Sequence, residues 1–133
     1  MDRKAAFLKF KTGGNSDPGH WYFDAQIVRW VDDRQPGFVE CRFIDSVGVE
    51  WAIVEKLPVV TLADLRSTSS FPQPAIIACE VISSGKDGSD REIADVSTQK
   101  PWGIEATDGT TKFRVFVDHT IPPHPDGVFS EKS

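Results

Sequence analysis

Phe38-Val39-Glu40-Cys41-Arg42-Phe43-Ile44, the link Asp45-Ser46-Val47-Gly48, and Val49-Glu50-Trp51-Ala52-Ile53-Val54 decide how this chain folds. In the first run Val39, Cys41 and Phe43 share one side, and Glu40 and Arg42 take the other. A period of two marks a strand with one buried face. The link has turn composition, with Gly48 free to take a positive φ. In the second run Val49, Trp51 and Ile53 share a face. The two runs therefore predict an antiparallel hairpin. Pro58 cannot donate to a ladder and belongs at an edge or a strand end. Thr61-Leu62-Ala63-Asp64 has the form of a capped helix start and predicts one short helix over Leu62 to Arg66. The polar, proline-bearing stretch from Ser67 to Pro74 is expected to be a loop.

Outward from this centre the pattern stays β-rich. Ala6 to Thr12 reads as a strand with Leu8 and Phe10 inward. Gly13 to Gly19 is a glycine-bearing loop. No helix or Lys-Ser/Thr pair follows it, as a phosphate-binding loop requires, and the chain runs instead into Trp21-Tyr22-Phe23. Trp21 to Val31 predicts a long strand. Trp21, Phe23, Ala25 and Ile27 share a parity, after which Val28 and Trp30 carry the apolar phase on the other side, and Arg29 falls where an apolar residue was due. That change predicts a β-bulge or a strand shared between two sheets. Further strands are expected at Ala75 to Ile82, Glu92 to Thr98, Ile104 to Thr107 and Thr110 to Val117, with Ser83 to Arg91 a flexible connection. Asp108-Gly109 marks a hairpin turn. The count is about seven to eight short strands with one short helix. It predicts an all-β fold, an antiparallel small barrel or sandwich. The helix also gives a loose likeness to an OB-fold, whose helix separates its third and fourth strands, although the strand count is high for that fold.

At 133 residues the chain is expected to be one domain, residues 1–120, with a flexible proline-bearing tail at 121–133. The net charge of -5 argues against nucleic acid as the main partner, because phosphate binding draws on clustered Lys and Arg. The same charge suits a basic protein partner. No signal peptide or apolar run near the ~20 residues of a membrane span is evident, which predicts a cytoplasmic protein with no membrane partner. Oligomeric state stays open.

Cys41 and Cys79 fall on apolar strand faces and read as reduced core thiols. Asp32 and Asp33 point apart on a strand, and the acids of Asp87 to Glu92 lack the EF-hand spacing. His20, His119 and His124 are scattered. These features predict neither metal nor cofactor. No Gly-x-Ser-x-Gly elbow supports a nucleophilic serine, so no catalytic residue is assigned. The aromatics carry more. Trp21 and Trp30 stand on opposite parities of one strand, Trp102 lies in the Pro101-Trp102-Gly103 bend, and Phe38 and Phe116 fall on outer parities. These five are the candidate binding residues.

Several segments together resemble a group of small uncharacterised bacterial all-β proteins: Phe38 to Phe43, Glu55 to Thr61, Phe71-Pro72-Gln73-Pro74 with Cys79-Glu80-Val81, and Pro101 to Glu105 with Asp108-Gly109. The resemblance brings no activity with it. The reading that emerges is a small non-catalytic protein acting through protein–protein contacts, an immunity-type inhibitor being one form. The alternatives are a small-ligand-binding barrel with an apolar cavity near Trp21, Trp30, Trp51 and Phe113, and an enzyme with a polar cleft.

Overall fold

β1 (Trp21–Asp32) is the strand on which the sheet is built. The computed structural model describes residues 20–34 and 36–123, so the strand and loop expected before residue 20 and the chain after 123 lie outside the described residues. One edge of β1 pairs with β4 (Gln73–Lys86). The other pairs with β2 (Phe38–Ile44) and, at Tyr22 and Phe23, with β7 (Thr120–Ile121). β3 (Glu50–Lys56) flanks β2, while β5 (Glu92–Ser97) and β6 (Lys112–Phe116) continue beyond β4. All pairings are antiparallel, in the order β3-β2-β1-β4-β5-β6. The resulting sheet curls into a half-barrel. Its two ends meet where Ala106 bridges Ile53, and where the Ser46 N–H donates to the Arg114 carbonyl at 2.8 Å.

The central hairpin forms as its alternation predicts. Val39 and Cys41 are fully buried and Phe43 is 7% exposed. Gly48 takes φ +88° at the turn. The expected bulge is also present, a register shift between Ile27 and Arg29. It lets the strand keep Ile27 in the core and then turn Trp30 back towards Val39. Inside the curl, Phe23, Phe43, Trp51 and Phe113 meet edge to face. Their centroids are 4.7 Å apart for Phe23–Phe43 and 5.1 Å for Phe43–Phe113 and Trp51–Phe113.

Four local expectations are corrected. The helix is α1 (Leu57–Val60), not Leu62 to Arg66. Pro58 fits a first turn that needs no N–H, and Thr61 closes this helix with its own N–H on the Leu57 carbonyl. The Thr61 hydroxyl instead accepts from Ala63 N at 3.0 Å, a local turn. The fourth strand runs on to Lys86 because β5 pairs with Ser83 to Lys86 after a shift at Val81/Ser83. Residues 104 to 107 form no strand beyond the Ala106 bridge. Their backbone is spent on Thr98 and Ala52, and β6 pairs with β5 instead. Finally, Ile121 belongs to β7 rather than to a tail. Among the described strands α1 lies between β3 and β4, and the sheet path runs β3-β2-β1-β4-β5-β6.

Candidate functional site

Strand register lays one outer face across β3, β2, β1 and β4. On the hairpin, Phe38 stands opposite Lys56, Glu40 opposite Val54, Arg42 opposite Ala52, and Ile44 opposite Glu50. β1 adds Gln26 beside Arg42 and Arg29 beside Glu40. β4 adds Pro74 beside Gln26 and Ile76 beside Asp24. Because Val39, Cys41 and Phe43 turn inward, these neighbours point out.

Glu40 anchors this face. It is 5% exposed although it sits on the outer side of its strand. Arg29 Nε donates to its Oε1 at 2.6 Å, and Arg42 Nε donates to its Oε2 at 2.6 Å. Arg42 Nη1 reaches on to Glu50 Oε1 at 3.3 Å. Burial alone would push the Glu40 carboxyl up. The hydrogen bonds and charges of Arg42 and Arg29 overcome this and hold it below its ordinary value. Around this ionic chain lie exposed apolar side chains, Phe38, Ile44 and Val54.

Beside them runs an open groove of about 670 Å³. Val28, Ile44, Pro72, Pro74 and Ile76 supply its apolar lining, and Asp24, Gln26, Arg42, Glu50 and His119 its polar groups. The groove follows from the pairing. β2 pairs with β1 as far as Gln26, and β7 joins the same edge at Tyr22 and Phe23, so the groove lies beside the step between the two pairings.

The five aromatic candidates are dispersed, and among the described residues no ring contact joins any two of them. Trp21 is 2% exposed and lies in the core, so it forms no accessible surface. Trp30 packs against Phe71 with centroids 6.4 Å apart and donates from Nε1 to the Arg66 carbonyl at 3.0 Å. Phe116 is covered by the Arg91 guanidinium, 3.5 Å from its centroid, and by the edge of His119. Trp102 is 56% exposed beside His20. Phe38 is the candidate that lies on the outer face. What sequence reading missed there is the meeting of Arg29 with Glu40. The out-of-phase Arg29 signalled the bulge, and the bulge is what brings it opposite Glu40.

The remaining shifted carboxylates have structural causes. The bidentate Arg114 lowers Asp95, Arg34 takes Asp32 down to about 2, and the Thr110 N–H lowers Asp108. Burial pushes the Cys41 thiol up to about 12 and Cys79 higher still. Among the described residues no group of His, Cys, Asp and Glu is placed to hold a metal ion, and no helix is long and apolar enough to cross a membrane. No protein-family model, no characterised protein and no solved structure matches the chain.

Proposed function

We propose that this is a small cytoplasmic binding protein whose outer β3-β2-β1-β4 face docks a basic protein. The observation that carries the reading is the groove beside Glu40. It joins the exposed Ile44 and the half-buried Ile76 to a rim bearing Asp24 and Glu50. An apolar centre excludes water, and a charged rim sets orientation and the rate of encounter. The net charge of -5 adds a long-range pull on a basic partner that salt weakens. An immunity-type inhibitor would use such a face.

The aromatic rings packed inside the curl weigh against a ligand held there. The shifted carboxylates, each engaged by an arginine or a backbone N–H, give no support to an acid–base pair.

The test is affinity capture from host lysate at low and physiological salt, comparing the wild-type chain with Ile44→Ser and Glu50→Lys. Both positions are exposed, so the fold should survive, which thermal unfolding checks. A partner held by the wild type, weakened by salt and lost in both variants supports the reading. Equal capture by all three chains, or none by the wild type, overturns it.

A further inference from the structure

A second hollow lies on the other half of the sheet, and its charge is of opposite sign. It encloses about 490 Å³ between Val47, Ile82, Asp95, Val96, Lys112, Phe113 and Arg114. Val47 and Ile82 form its apolar rim at 77% and 54% exposed, while Val96 and Phe113 belong to the core beneath.

Neither rim residue sits on a loose loop. The Val47 N–H is held by Asp45 Oδ1 at 3.0 Å, and the adjacent Ser46 N–H ties the turn to β6 through the Arg114 carbonyl. Ile82 occupies the register shift of β4 between Val81 and Ser83, where a bulge re-aims a side chain. Two exposed aliphatic groups thus flank one hollow from backbone that is held in place, and covering them would remove apolar surface from water.

The charges select what covers them. The Arg114 guanidinium is spent on Asp95, at 2.7 and 3.1 Å. Lys112 is exposed, and among the described residues it has no ion pair. The hollow thus combines an apolar slot with one unspent ammonium, on a molecule that is acidic overall. We infer that this hollow docks an acidic peptide segment of a partner protein, with an aliphatic side chain between Val47 and Ile82 and a neighbouring Asp or Glu carboxylate on Lys112. A side-chain acid suits a lysine, which acts as a mobile point charge. Capture of a chain terminus uses a nest of backbone N–H groups, and the Val47 N–H at the rim is already held by Asp45 Oδ1.

The test uses the full chain labelled with ¹⁵N and three acetylated tripeptides: Leu-Glu-Leu amide, Leu-Gln-Leu amide and Leu-Gln-Leu free acid. Saturable amide shifts confined to Val47, Ile82, Val96, Lys112 and Phe113 are expected with the Glu peptide. Its affinity should exceed that of the Gln amide by about fivefold, the upper range for one exposed ion pair. Lys112→Gln should abolish that preference while leaving the weaker apolar binding. Val47→Ser with Ile82→Ser should weaken all three peptides. No saturable shift at millimolar peptide, equal affinity of the Glu and Gln amides, or tightest binding of the free acid would each overturn the inference.

Discussion

Glu40 shows how a charged residue on a sheet's outer face becomes part of the structure. Its carboxylate is nearly enclosed, yet the arginines that enclose it keep water, with side chains 61% and 44% exposed. The pair is therefore worth less than a fully buried one, and Glu40→Gln should cost about 1–2 kcal/mol at neutral pH. The folded carboxyl titrates below its unfolded value of about 4.3. Its stabilisation is present above that pH and is lost as pH falls through the lower folded value. Urea unfolding at pH 7 and at pH 3 should show the gap between wild type and Glu40→Gln closing in acid. A gap of constant size would mean that packing, not charge, holds the site. A second residue is constrained by shape. Gly37 has φ +86°, and a Cβ there would lie 2.7 Å from the Trp30 ring. Gly37→Ala should therefore cost at least ~1 kcal/mol from backbone strain alone and displace the Trp30 ring. Both show in thermal unfolding and tryptophan emission.

Among the elements, the central hairpin was legible because alternation is a local signal and a one-residue slip would expose every core side chain. The helix was misplaced because Thr61-Leu62-Ala63-Asp64 satisfies the capping pattern while Lys56-Leu57-Pro58 satisfies the proline rule, and the tertiary frame chose the second. Thr61→Ala tests that choice. Loss of a true N-cap costs about 1 kcal/mol. Here the hydroxyl holds only the Ala63 N–H in an exposed turn, so chemical denaturation should register less than about 0.5 kcal/mol. The pairing of 104–107 was not legible. Asp108-Gly109 does make its turn, with Ala106 N–H on the Thr110 carbonyl at 2.9 Å. Which strands flank it depends on β3 and β5, distant in sequence. The candidate site divides in the same way. Phe38 and the outward Glu40 and Arg42 could be read from parity, whereas the groove exists only because β2 and β7 share one edge of β1.

At the scale of the whole molecule, the question is whether the two halves of the sheet open together. Cys41 on β2 and Cys79 on β4 report on each half, being 0% and 2% exposed. Burial pushes both thiols up, so reaction with a thiol reagent requires opening. The rings of Phe23, Phe43, Trp51 and Phe113 join β1, β2, β3 and β6 in one cluster. Phe113→Ala removes the member that touches the other three and should cost about 3–5 kcal/mol. If the sheet opens as one unit, both cysteines should label at a single rate under native conditions. Phe113→Ala should then raise that rate at least ~100-fold, since about 1.4 kcal/mol is tenfold. Ile44→Ser, on the outer face, should leave it within about twofold. Cys41 labelling well ahead of Cys79, with Phe113→Ala speeding Cys41 alone through the lost contacts to Phe43 and Trp51, would show that the β2–β3 hairpin lifts by itself. The outer face would then change shape with that motion, because its groove is bounded by Arg42 and Ile44 of β2 and by Asp24 and Gln26 of β1.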